Sequence, residues 1–223
     1  MQKLIKSYES ILSIPGVSEL FDKITFETED EKITFLNYIV LKGLPQHKRI
    51  VDILEKDNTP LRYSIISGLY KYDKRIRDDL YIYLSALEEF MRAYLCNSNI
   101  VDLHAAENMT FGQLIIFTKR KLDIWSLRYL FDFDDENSLN ANLDAVKELR
   151  NAVNHHRFLY THPLKACNIA GATCNSLSQN ILNLKYLLPK EFHEKFLAKI
   201  QNDALDEHQS IQLMVPEKYI IGL

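Results

Sequence analysis

The segment Leu139–Tyr160, LNANLDAVKELRNAVNHHRFLY, concentrates the residue types that could do chemistry. Wound as a helix at about 100° per residue, it has two sides. Leu149, Val153, Val146, Ala145, Ala152 and His156 fall on one, and Arg150, Asn154, Lys147, Asn151, His155 and Phe158 on the other. The first is a core face. The second holds no acid, whereas a solvated helix face ordinarily mixes Glu with Lys. Arg150 offers a planar fork that matches phosphate oxygens and stays charged. An imidazole such as that of His155 belongs to the side-chain class that both accepts and donates protons at cellular pH. Asn151 and Asn154 supply donors and acceptors that orient a base, a ribose or the histidine. These are the parts of metal-free RNA cleavage. A base takes the 2′-hydroxyl proton, a cation stabilises the phosphorane, and an acid protonates the departing 5′-oxygen. The 2′-hydroxyl is an internal nucleophile, so the protein need not provide one.

One helix supplies one strong acid–base group. Arg150 and His155 also stand five residues apart, about 7.5 Å along a helix axis. Pairing two such helices across a two-fold brings two arginines and two histidines into one cleft. The expectation is a composite site, active only as a homodimer.

The elements that must position this segment are helical. Apolar residues recur with a 3.6-residue period through most of the chain, and clear strand alternation is missing. Short helices are expected over residues 3–12, 29–42 (started by Thr28 or Asp30) and 46–56. A long one follows from about 61 to 96, with Leu80, Leu84, Leu87, Met91 and Tyr94 as a buried stripe. Thr110 is the expected N-cap of 111–122. Another short helix, an acidic turn (FDFDDENS) and a helix over 138–159 come next, then a loop over 161–175 and helices over 176–188 and 190–203 split at Pro189. The fold class is all-α, with a small helical N-terminal extension (1–58) ahead of a helical bundle domain (59–223).

With 223 residues, 47% hydrophobic and 26% charged, the chain can bury a core without disulfides or metals. Its 27 basic and 30 acidic residues give a net charge of −3, which excludes a global nucleic-acid coat. The three widely spaced cysteines (Cys96, Cys167, Cys174) fit reduced thiols in the cytoplasm. The N-terminus is too polar for a signal peptide, and no apolar run reaches the ~18 residues of a membrane span. A soluble cytoplasmic protein is expected.

Arg150-x4-His155, with Asn151 directly after the arginine, is similar to the R-x4–6-H motif of the HEPN superfamily of helical ribonucleases. ELRNAVNHHRFL resembles the LRN…HHR signature of that superfamily's Abi-like (abortive infection) branch. Upstream, LYKYDKRIRDDLYIYLSALEEFMRAYL resembles the branch's other block, carried here by Tyr70, Asp73, Arg77, Glu88 and Arg92. TFGQL at 110–114 sits where the family places its middle helix. The match covers roughly residues 61–200. It implies a HEPN-like helical bundle, a homodimer, and a metal-independent endoribonuclease leaving a 2′,3′-cyclic phosphate. It further implies a role in phage defence or as a toxin, with an antitoxin or regulator as partner. By the motif, Arg150 and His155 carry over as catalytic and Asn151 as supporting. Asn154, Lys147, Arg157, His156, Lys119 and Arg120 are the expected RNA-contacting residues, with no metal and no cofactor. The superfamily also contains non-catalytic members that bind RNA, nucleotide or a partner protein, and that remains the alternative function.

Structural readings stand beside these. Arg150 and His155 could belong to a capping or ion-pairing surface helix. His156 projects toward the apolar side, as a core or interface histidine would. Glu88–Arg92 and Asp73–Arg77 are i, i+4 pairs suited to fixing helix packing. Lys119–Lys121 with Arg128 could track an RNA backbone or form a solvated helix end. The tyrosines Tyr63, Tyr70, Tyr72, Tyr81 and Tyr83 suit core and interface packing better than base stacking. Asp132, Asp134, Asp135 and Glu136 lack the glycine and distal glutamate of a calcium loop. His162, Cys167 and Cys174 lack zinc spacing.

Overall fold

Among the described residues, apolar positions at helical spacing, started by Thr, Asp and Ser caps, fold into 11 α-helices, and the fold is all-α. The computed structural model describes residues 8–131, 133, 135–210 and 215–223. It comprises two compact units, Met1–Lys74 with Leu205–Ile220, and Arg75–Ala204 with Ile221–Leu223.

The first unit contains α1 (Tyr8–Leu12), α2 (Val17–Lys23), α3 (Glu29–Lys42), α4 (Leu44–Lys56) and the start of α5 (Tyr63–Asn97). Of the two candidate starts for α3, Thr28 is the cap: its Oγ1 accepts the Glu31 N–H at 3.2 Å. Phe35, Leu36, Ile39, Ile50 and Leu54 are buried around a ring cluster of Phe21, Phe26, Phe35 and Tyr63. The Thr25 N–H donates to Leu61 O at 2.8 Å, and the Tyr63 N–H to Thr25 O at 3.0 Å. Tyr63, Ile66 and Leu69 thus belong to the N-terminal core, and the division falls inside α5, at Lys74. Residues 3–7 of the first expected helix lie outside the described residues.

The second unit holds the rest of α5, then α6 (Leu103–Asn108), α7 (Phe111–Lys121), α8 (Ile124–Leu130), α9 (Glu136–Asn154), strands β1 (Cys167–Ile169) and β2 (Ala172–Cys174), α10 (Leu177–Leu187) and, as far as Ala204, α11 (His193–Ser210). Leu80, Leu84, Leu87 and Met91 of the α5 stripe are buried, and Tyr94 is half-buried. Thr110 and Gln113 form a reciprocal capping box at the start of α7. In the acidic turn Asp135 caps α9, accepting the Asn137 and Ser138 N–H groups at 2.8 and 3.0 Å; Asp132 and Asp134 lie outside the described residues. α9 packs against α7, α10 and β1, burying Leu139, Leu143, Val146, Leu149 and Val153.

Two local expectations need correction. The loop expected over 161–175 contains an antiparallel hairpin in the register Cys167↔Cys174, Asn168↔Thr173, Ile169↔Ala172. Strands of three residues are too short to show alternation. The turn residues Ala170 and Gly171, at φ 51° and 78°, make the two-residue left-handed turn that suits strand twist. Asn142 of α9 holds the hairpin like a further strand. Its Nδ2 donates to Asn168 O at 2.8 Å, and its Oδ1 accepts the Asn168 N–H at 2.7 Å.

The second correction concerns α9, which ends at Asn154, five residues short of the expected 159. His155 is the C-cap and His156 takes φ 52°. The Arg157 N–H donates to Ala152 O at 2.8 Å and the His156 N–H to Val153 O at 3.1 Å, which is the Schellman closure. Phe158 leaves the polar helix face and is buried.

Candidate functional site

Arg150 projects from the penultimate turn of α9 onto α5. Its Nη2 stands 3.3 Å from Glu88 Oε2. The other oxygen, Glu88 Oε1, accepts from Arg92 Nη2 at 2.5 Å. Arg92 also donates to the carbonyls of Ala106 and Met109, tying α5 to the link between α6 and α7. One carboxylate therefore sits between two guanidiniums. The Phe111 ring lies under Arg150, with its centroid 5.8 Å from Cζ. With the Asn154 amide turned oxygen-inward, Oδ1 accepts from Arg150 Nη1 and Nη2 at 3.1 and 3.3 Å. The guanidinium is held on three sides and keeps part of its surface open.

A cleft of about 330 Å³ opens over this group, lined by Tyr81, Ser85, Glu88, Arg92, Arg150 and Asn154 among others. A second, of about 370 Å³, is lined by Arg77, Asp78, Tyr81, Val153, Asn154 and His156. The two share Tyr81 and Asn154. Arg77, Glu88 and Arg92 from the upstream sequence block thus meet Arg150, Asn154 and His156 from the downstream one.

The remaining site residues divide. His155 is exposed at the C-cap and lines neither cleft. Asn151 is half-buried, lines neither cleft, and accepts the His155 N–H through its backbone carbonyl. His156 was expected on the apolar side. It is exposed instead and borders the second cleft, because the left-handed residue at 156 turns the chain off the helix. Lys119 is committed to Asp144 of α9 at 2.8 Å. Burial alone would raise the Asp144 carboxyl, but the hydrogen bond and charge of Lys119 outweigh it and hold the group below its ordinary range. The Lys147 stem lies over Gly112 of α7, 3.7 Å from where a Cβ would be. Arg120 and Arg157 are exposed.

Tyr63, Tyr72 and Tyr83 are core, as expected, whereas Tyr81 is 54% exposed and borders both clefts. Its spacing, four residues after Arg77 and seven before Glu88, was the signal available in the sequence. A histidine–carboxylate contact escaped sequence reasoning: His162 Nε2 lies 2.8 Å from Glu148 Oε1. Among the described residues no group of three or more His, Cys, Asp or Glu side chains is placed to hold a metal ion, and no helix is long and apolar enough to cross a membrane. Comparison of the chain with family models, curated proteins and solved structures finds no match.

Proposed function

We propose that the protein is a metal-independent endoribonuclease of the HEPN type, acting in phage defence or as a toxin, with its active site completed across a homodimer. The supporting observation is the convergence of two sequence blocks: Glu88 and Arg92 of α5 brace Arg150 of α9 beside an open cleft. In the proposed reaction one His155 takes the 2′-hydroxyl proton as the 2′-oxygen attacks phosphorus. The phosphorane charge is met by Arg150 from each chain. The P–O5′ bond breaks, and the partner's His155 gives the leaving oxygen its proton. The products are a 2′,3′-cyclic phosphate and a 5′-hydroxyl. The setting that fits is the cytoplasm, with an antitoxin or regulator as restraining partner.

The test is cleavage of RNA in EDTA by the full chain, wild type against His155→Ala. General acid–base catalysis contributes roughly 10²–10⁴-fold, so a loss of at least about 100-fold is expected. Full activity in the variant, or activity abolished by chelation, defeats the proposal.

A second reading, a non-catalytic HEPN module binding RNA, nucleotide or protein, rests on a specific observation. Within one chain Arg150 is already engaged by Glu88 and Asn154, and His155 lies outside both clefts. The separation of the two His155 rings in a dimer structure decides between them: a shared cleft supports the nuclease, divergent rings the module.

A further inference from the structure

Away from the clefts, α8 presents the two most exposed large hydrophobic side chains on the described surface, Trp125 at 78% and Tyr129 at 82%. At i, i+4 they share one helix face. Tyr129 is braced by Tyr94, with ring centroids 6.2 Å apart. Arg128, between them, rests over the Phe133 ring at 5.9 Å. Arg128, Tyr129 and Lys190 line one cavity of about 320 Å³ whose apolar walls include Phe90, Phe131 and Leu188. Arg120 and Lys121, both exposed, close α7 within five residues of Trp125. Acids near this face include Glu191, on the cavity wall, Asp123, whose carboxylate accepts the Ser126 N–H as the cap of α8, and, in sequence, the acidic turn over 132–136 that follows α8.

We propose that this face of α8 is a single-stranded RNA platform. Trp125 and Tyr129 stack on bases, and Lys121, Arg128 and Lys190 meet phosphates. Flat rings beside cations are the combination that binds single strands without reading sequence. Trp, Tyr and Arg are also common at protein–protein interfaces, but Lys121 and Lys190 are of a type depleted there, which favours RNA over a second copy of the chain. The choice of RNA as ligand rests on the nuclease reading, but Trp125, Tyr129 and Lys190 are residues that reading does not use.

Trp125 is the chain's single tryptophan, so its fluorescence reports on this face. The probe is a short oligodeoxythymidylate, which stacks like RNA but has no 2′-hydroxyl to be cleaved, followed by oligouridylate. The expected results are saturable quenching by both and an affinity that falls as salt rises. By anisotropy of a labelled oligomer, Trp125→Ala and Tyr129→Ala each weaken binding roughly 5- to 150-fold, while Leu41→Ala, at an exposed residue of α3, binds normally. No binding by the wild type, or unchanged affinity in both aromatic variants, overturns the platform. So does self-association that Trp125→Ala abolishes in a protein that binds neither oligomer. Normal oligomer binding without RNA cleavage would instead sink the nuclease reading and leave the platform standing.

Discussion

Replacing Glu88 by Gln keeps the side chain's shape and removes the charge that two arginines share. Arg92 Nη2 lies 2.5 Å from one oxygen and Arg150 Nη2 3.3 Å from the other. A hydrogen bond to a charged group contributes about 1.5–3 kcal/mol. Removing one partner of a fully buried pair costs about 3–5 kcal/mol. The three side chains here remain 19–29% exposed, so solvent screening lowers that ceiling, and one amide oxygen still accepts. The expected loss is about 2–3 kcal/mol. In a domain of this size that corresponds to a fall in Tm of roughly 4–12 °C, read by circular dichroism at 222 nm. Coulomb attraction falls with distance, so double-mutant cycles should couple Glu88 more strongly to Arg92 than to Arg150. A variant melting within about 1 °C of wild type, or coupling to Arg150 below about 0.3 kcal/mol, would show that the carboxylate does not hold the guanidinium.

Other perturbations follow from the same structure. Asn142→Ala removes both bonds to the Asn168 backbone and should cost about 2–4 kcal/mol, with faster hydrogen exchange at the Asn168 amide; unchanged exchange there refutes the clamp. His156 sits at φ 52°, so His156→Val should lose about 1–2 kcal/mol and His156→Gly should melt at or above wild type, measured as urea midpoints.

The buried Asp79 carboxyl is pushed up to about 6 by burial and by the neighbouring Asp203 carboxylate. Burial alone would raise Asp203 too, but hydrogen bonds from Asp79, Lys199 and Arg75 hold it at about 2. With one Asp79 oxygen lacking a donor, a proton between the carboxylates satisfies both. Asp79's folded value lies above the ordinary 3.8, so its contribution is complete below that pH and is lost as pH rises through about 6. That of Asp203 is present above 3.8 and is lost as pH falls through about 2. The wild type should lose stability from about pH 4 to 6 and level off above about pH 7. Asp79→Asn should flatten that decline and be more stable at pH 8 by about 1–3 kcal/mol; parallel pH profiles would refute the shared proton.

The helices were legible because their signals lie within a turn or two of the chain. Thr28, Thr110 and Asp135 start helices through bonds to amides two or three residues on, and the Leu80–Met91 stripe repeats at helical spacing. The clefts were only half legible. Arg150 and Glu88 could each be singled out, but their ion pair spans 62 positions, and no local pattern encodes a partner so distant.

By itself, then, the sequence determined the all-α class and the residue types gathered on α9, since capping and 3.6-residue periodicity are short-range. Only the tertiary structure decided that Glu88 braces Arg150 and that Lys119 is taken by Asp144. The same holds for the end of α9 at Asn154, which sends His155 and His156 off the helical wheel. That end is set where burying Phe158 and closing the carbonyls of Ala152 and Val153 outweigh another turn of helix, and such a balance belongs to the packed chain.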